Sequence, residues 1–133
     1  MKATVLDASA LLAMFFGQSG MEQVRTLFHK AAETDAALLI TAVNWAEVLY
    51  KLEQKKGAEG LEIGLRFELT MPLDILPIDK DVAETAAHLK VVHSLGLADA
   101  FAAAASIMKK AALVTADTEF KVLEKEIKIV WLS

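Results

Sequence analysis

Cysteine is absent from this chain of 133 residues. Disulfide bonds, thiolate zinc sites and cysteine nucleophiles are therefore excluded, and any bound metal must be held by oxygen or imidazole ligands. The sequence has only two prolines and six glycines, and no stretch has the composition of a linker or a disordered tail. Hydrophobic residues make up 55% of the chain. We therefore expect a single domain that spans residues 1–133.

Long apolar runs and positive charge are also scarce. The apolar stretch near the N-terminus, Ala8 to Phe16, is too short to span a bilayer, so we expect a cytoplasmic protein without a membrane partner. The formal net charge of −4 argues against binding nucleic acid by overall electrostatics, since phosphate contacts come from Lys and Arg. That objection weakens if four of the acids hold two divalent cations.

Strand-like and helix-like patterns alternate along the chain. The predicted strands are Lys2–Leu6, Leu38–Ile40, Asp74–Ile78, Ala112–Thr115 and Ile127–Leu132. The predicted helices are Ala8–Phe16, Met21–Thr34, a helix capped by Thr41 that ends before Gly57, then Ala58–Thr70, Asp79–Ser94, Leu97–Lys110 and Thr118–Lys125. Pro77 places the third strand close to a sheet edge. This order predicts a three-layer α/β/α fold with a mostly parallel central sheet and helices on both faces.

Four acidic residues stand where an open parallel sheet gathers its ligands, beyond the carboxyl ends of the strands. Asp7 follows the first predicted strand, and Asp117 follows the fourth. Glu47 lies in the second turn of the helix after the second strand, and Asp99 opens the apolar helix that leads to the fourth. We therefore treat these four acids as candidates for one site.

These acids also have structural explanations that involve no ligand. The two that follow strands can be helix N-caps, and an acid in the first turn of a helix interacts favourably with the helix dipole. Glu47 can pair with Lys51 or close a capping box with Asn44. Asp117 can likewise pair with Lys121.

Asp7 and Asp99 fit the structural explanations less well. No Lys or Arg occurs from position 3 to 24 or from 91 to 108, and both acids stand among apolar residues. A buried carboxylate without a partner costs several kcal/mol, unless it is neutralised or a cation supplies the missing charge. Hard oxygen ligands from several elements suit Mg²⁺ or Mn²⁺.

Four blocks of this sequence resemble the signature blocks of PIN-domain nucleases. The blocks are VLDASALL at 5–12, NWAEV at 44–48, LGLADA at 95–100 and LVTADTEF at 113–120. Their order and spacing match the family from near the first residue to near the last. The short length and the LADA sequence look most like VapC-type toxins of bacterial and archaeal toxin–antitoxin pairs.

The resemblance implies a metal-dependent endoribonuclease with a PIN-like fold and Mg²⁺, or Mn²⁺, as cofactor. It assigns metal binding and catalysis to four acids: Asp7, Glu47, Asp99 and Asp117. Ser9 and Thr115 would be small hydroxyls that line the same cleft and orient carboxylates or water, and the alternative for each is capping of a neighbouring backbone N–H. The implied partners are an RNA substrate, a cognate antitoxin protein that covers the cleft, and a second copy in a homodimer.

The sequence departs from the family pattern in its last block. Relatives often carry a basic residue at the place of Ala116, and its absence here removes one possible phosphate contact. Glu119 fits a frequent second acid of that block, although we expect it on the surface. The other interpretations are a housekeeping PIN nuclease and a catalytically silent binding module whose acids are caps. A further alternative is a phosphohydrolase with an aspartyl nucleophile, but such an enzyme usually needs a second Asp at the position that Ser9 occupies.

Overall fold

A parallel five-stranded sheet forms the centre of the structure, a computed structural model that describes residues 3–133. The strands are β1 (Ala3–Leu6), β2 (Ala37–Thr41), β3 (Asp74–Leu76), β4 (Ala112–Thr115) and β5 (Ile129–Trp131). They lie in the order β3-β2-β1-β4-β5, and each neighbouring pair is parallel. The predicted parallel α/β sheet is confirmed, and β3 lies at an edge as Pro77 indicated.

Helices cover both faces of this sheet. They are α1 (Ala8–Phe15), α2 (Met21–Glu33), α3 (Ala42–Thr70), α4 (Lys80–His93), α5 (Leu97–Lys109) and a 3-10 helix (Thr118–Leu123). Successive side chains of a strand point to opposite faces, so Val5 packs with α4 and α5 while Leu6 packs with α1, α2 and α3. The two hydrophobic clusters confirm the three-layer arrangement.

Helix α5 packs closely because much of its length is alanine. Ala100 and the run 102–105 are fully buried.

Among residues 3–133, no single helix is long and apolar enough to cross a bilayer; α4 and α5 reach that length and composition only as a pair bent by 115°.

Helix α3 consists of two segments that meet at Gly57, where the sequence predicted a break. Gly57 has φ 65° and ψ −153°, a backbone conformation that only glycine adopts readily. The second segment (58–70) turns back onto the first (42–56), since a Cβ built on Gly60 would lie 2.2 Å from the carbonyl oxygen of Leu52. A Cβ on Gly64 would lie 2.8 Å from a methyl carbon of Leu49. The two glycines therefore let the segments approach closely.

Several predicted element ends are shifted by a few residues. The third strand stops at Leu76 rather than Ile78, because Pro77 has no N–H to continue the ladder. The last strand covers only Ile129–Trp131 rather than Ile127–Leu132, and the predicted helix Thr118–Lys125 is a 3-10 helix that ends at Leu123. Four predicted helices run one residue too far at their C-terminal ends, because Phe16, Thr34, Ser94 and Lys110 are their C-caps. The assignment of Lys2 to the first strand lies outside the described residues.

We expect Gly60→Ala to lower the free energy of unfolding by about 2 to 3 kcal/mol, because the added methyl group forces the two segments of α3 apart. Urea denaturation followed by circular dichroism measures the change. Glu59→Ala, at an exposed position of the same segment, is the control and should stay within about 0.5 kcal/mol of the parent. Equal stability of Gly60→Ala and the parent would contradict the packing of the two segments.

Candidate active site

Asp7 occupies the carboxyl end of β1, in the middle of the sheet. Its backbone N–H donates to the carbonyl of Val114 in β4 (3.3 Å), and its side chain is almost fully buried. Asp7 Oδ1 accepts hydrogen bonds from Ser9 Oγ (2.7 Å) and from the backbone N–H of Ala10 (3.0 Å). Asp7 Oδ2 accepts one from Thr115 Oγ1 (2.5 Å). The carboxylate is therefore the N-cap of α1 and also a link between β1 and β4.

The hydroxyls of Ser9 and Thr115 hold this carboxylate from two sides. They lie 3.2 Å from each other. Each also accepts a backbone N–H: that of Ala116 on Ser9 Oγ (3.0 Å) and that of Asp117 on Thr115 Oγ1 (2.9 Å). The two alternatives considered from the sequence, a contact with the acid and a backbone cap, thus occur together. Both hydroxyls fix the position of Asp7 relative to the loop after β4.

Three further carboxylates lie at the same edge of the sheet. Asp99, Asp117 and Glu119 each offer an oxygen within 4.8 Å of the others. Asp117 Oδ1 accepts the backbone N–H of Glu119 (2.9 Å) as the N-cap of the 3-10 helix. Glu119 is exposed as expected, but its carboxylate lies in the acidic cluster, which the sequence analysis did not predict. The signal for it was the short spacing from Asp117, since this tight turn brings both side chains together.

Burial and mutual repulsion raise the pKa values of two of these acids. Burial raises the pKa of Asp7 to about 6, against the hydrogen bonds from Thr115, Ser9 and Ala10 and with a smaller contribution from the charge of Asp117. The pKa of Asp99 is raised to about 7, mainly by burial and next by a hydrogen bond with Glu119. The negative charges of Asp117, Asp7 and Glu119 add to the shift in Asp99. Asp7 and the three clustered acids therefore form one electrostatic site.

Glu47 is not part of this group. Its Oε2 lies 3.0 Å from Nζ of Lys51, so the helical pairing with Lys51 is formed. Among the described residues, Glu47 is not one of the acids whose oxygens lie within 4.8 Å of one another at this edge. The start of α3 nevertheless contacts the start of α5, because Asn44 Nδ2 donates to the carbonyl of Ala98 (3.1 Å). Glu47 thus lies about one helical turn after Asn44, which contacts Ala98, the residue before Asp99.

The capping alternatives for the other acids are resolved differently. Helix α3 is capped by Thr41, whose Oγ1 accepts the backbone N–H of Asn44 (3.0 Å), so Glu47 does not close a capping box. Within residues 3–133 no ion pair joins Asp117 to Lys121. The pairing of Asp117 with Lys121 that the sequence allowed is therefore not formed.

The family model of the PIN domain matches residues 4–126. This chain belongs to the PIN-domain family. Solved structures with this fold include DNA-bound VapBC from Salmonella typhimurium, with a TM-score of 0.78, 18% identity and coverage of 98% of each chain. VapBC2 from Rickettsia felis, bound to promoter DNA, has a TM-score of 0.74 and 18% identity over 98% of this chain and 99% of that chain.

A third similar structure is VapC20 from Mycobacterium tuberculosis, described as a toxin that cleaves the sarcin-ricin loop. Its TM-score is 0.73, with 17% identity over 90% of this chain and 93% of that chain. No curated protein sequence gives a significant match. The TM-scores of these three structures establish a shared fold, and the family model confirms the resemblance to PIN domains.

The acidic residues of this PIN domain fit a divalent cation. In the part of the chain that the structure describes, no Lys or Arg forms an ion pair with any of the four acids at this edge. Carboxylate oxygens from the loop after β1, the start of α5 and the loop after β4 suit Mg²⁺ or Mn²⁺, which bind hard oxygen ligands. A cation there would offset the repulsion that, after burial, contributes to the raised pKa of Asp99.

We expect the metal-free protein to lose stability as the pH rises from about 4 to about 7.5. In this range the folded protein keeps the proton of Asp7 up to a pKa of about 6, whereas the unfolded chain loses it near 3.8, so folding is favoured at the acidic end. The loss due to Asp7 is about 2 to 3 kcal/mol. Urea unfolding in EDTA across this range measures it.

Asp7→Asn should flatten this pH profile by that amount, because an amide does not titrate. Asp79→Asn is the matched control, since Asp79 caps α4 through the same contact (Oδ1 to the N–H of Val82, 2.9 Å) but lies outside the acidic cluster. The control should keep the slope of the parent. A parent slope in Asp7→Asn would contradict the raised pKa of Asp7.

Proposed function

We propose that this chain is a metal-dependent endoribonuclease that hydrolyses RNA phosphodiester bonds, and that it is the toxin of a type II VapBC toxin–antitoxin pair. One observation carries the proposal: Asp99, Asp117 and Glu119 converge beside the buried Asp7 with no basic partner among the described residues. Family membership supports nuclease activity, and the VapBC structures support the toxin assignment.

The three clustered carboxylates would hold the ion, which is Mg²⁺ or Mn²⁺ in this proposal. When bound, such an ion activates water and stabilises negative charge on a phosphate group. Asp7 contributes negative charge from the floor of the site, where Ser9 and Thr115 fix its two oxygens. A fixed charge beside the ion helps the ligands to keep the near-ideal geometry that Mg²⁺ requires.

The protonation of Asp99 couples metal binding to pH. Its pKa of about 7 means that the metal-free site holds a proton near neutrality, in a hydrogen bond with Glu119. Metal ligands must be deprotonated, so binding of the cation releases that proton. A bound cation would also relieve the repulsion between these acids, which favours its binding.

We retain Glu47 as a proposed metal-binding acid. Its carboxylate is held by Lys51 and is three-quarters buried. Its Oε2 is engaged by Lys51, so binding of an ion through this oxygen requires the ion pair to open. We therefore rank Glu47 below Glu119 as a ligand.

The partners follow from the toxin assignment. We propose an RNA substrate, a cognate antitoxin protein, a homodimer and a cytoplasmic location. The RNA assignment is supported by VapC20, which is described as cleaving the sarcin-ricin loop. The alternative, a housekeeping PIN nuclease, would share the same acidic site. A short neighbouring gene whose product has a DNA-binding N-terminal region would exclude this alternative.

We expect Asp7→Asn to abolish cleavage of RNA, because the site loses a negative charge that the cation requires. Gel electrophoresis of labelled single-stranded RNA, incubated with the protein and Mg²⁺, measures cleavage. Asp79→Asn should cleave like the parent, and EDTA should stop the parent. Cleavage that survives thorough chelation, or that is undiminished in Asp7→Asn, would overturn the mechanism.

We also expect Glu119→Gln to weaken Mn²⁺ binding about tenfold, a loss of about 1.4 kcal/mol, and more than Glu47→Gln does. The reason is that Glu119 already lies within ligand distance of Asp99 and Asp117, whereas Glu47 is paired with Lys51. Isothermal titration calorimetry near neutral pH compares the two variants. A larger effect of Glu47→Gln would show that Lys51 releases Glu47 to the ion.

A further inference from the structure

A cavity of about 670 Å³ lies at the end of the sheet opposite the acidic site. Its lining includes Thr4 at the start of β1 and Ala112 at the start of β4, whereas Asp7 and Asp117 follow the other ends of these strands. The lining also includes Val114, whose carbonyl accepts the N–H of Asp7, so the cavity extends along one face of the sheet, while its lysines lie near the starts of the strands. It is a different site.

The cavity is positively charged. Lys109 and Lys110, at the end of α5, and Lys128, just before β5, line it. The dipole of α5 favours lysines at its C-terminal end, but it does not explain Lys128, which belongs to another element. Among the described residues, the only acid of the lining is Glu126, and its Oε1 lies 3.2 Å from Nε2 of His93.

The remaining lining gives the cavity an apolar wall and one buried polar group. Leu27, Ile107 and Val130 supply apolar surface. Ser106 lies on the lining as well, and its hydroxyl is buried without a hydrogen-bond partner among the described residues. Buried hydroxyls are normally hydrogen-bonded, so this one marks a polar point in an otherwise apolar wall.

We propose that this cavity binds a phosphate monoester of nucleotide size. Lysine ammonium groups bind phosphate as point charges, and the apolar wall would contact the sugar or base. The volume lies within the range of small-molecule sites, which combine apolar walls with a few polar groups. The proposal is independent of the proposed nuclease activity, because none of the four acids at the carboxyl edge lines the cavity.

Calorimetric titration of the full-length, metal-free protein with AMP tests the proposal. EDTA in the buffer prevents any metal-mediated binding of phosphate at the acids. We expect AMP to bind and adenosine not to bind. Lys128→Ala should weaken AMP binding about tenfold, and Lys128→Arg should retain it. Lys80→Ala, which removes an exposed lysine of α4 that pairs with Glu84, should bind AMP like the parent.

NMR locates the bound nucleotide. AMP should shift the amide resonances of Ala112 and Lys128 but not those of Ala8 and Ala100, which flank the acids. Absence of AMP binding, equal binding of adenosine, or unchanged binding in Lys128→Ala would overturn the proposal. So would an affinity for single-stranded RNA that falls in Lys128→Ala while AMP shows no binding, because the lysines would then contact an RNA backbone.

Discussion

The carboxylate of Asp7 is held between the first and fourth strands, and the rest of the site is placed relative to it. The hydroxyls of Ser9 in α1 and Thr115 at the end of β4 donate to it, and both in turn accept backbone N–H groups of the loop that carries Asp117. Because β1 and β4 are neighbours in a parallel sheet, their carboxyl ends meet at one edge. One buried charge therefore fixes two loops that are far apart in sequence.

This arrangement opposes stability in the free protein. Burial of Asp7 and the crowding of Asp99 with its acidic neighbours both favour the protonated forms, as their raised pKa values show. A buried charge without a counter-charge is costly, and strain of this electrostatic kind is typical of sites that act on a ligand. The lysine pairing of Glu47 shows the contrast, since that acid has its counter-charge already.

The sheet also separates charge along its strands. Acids gather where the strands end, and lysines gather where β1, β4 and the chain before β5 begin. A net charge of −4 conceals this polarity, because it sums over both ends. Conclusions about partners drawn from the net charge alone are correspondingly weak, whereas the local surroundings of each cluster carry chemical meaning.

The sequence by itself determined the element order, the parallel α/β fold and the choice of Asp7, Asp99 and Asp117 as candidates. Hydrophobic periodicity, helix-breaking residues and the position of acids after strands or among apolar residues are all local features of a sequence. The sequence also determined the break at Gly57. Tertiary structure alone decided that Glu119 joins the acids while Glu47 pairs with Lys51, and that the segments of α3 pack on each other. The reason is physical: such choices depend on distances between side chains that only the packed sheet and helices set.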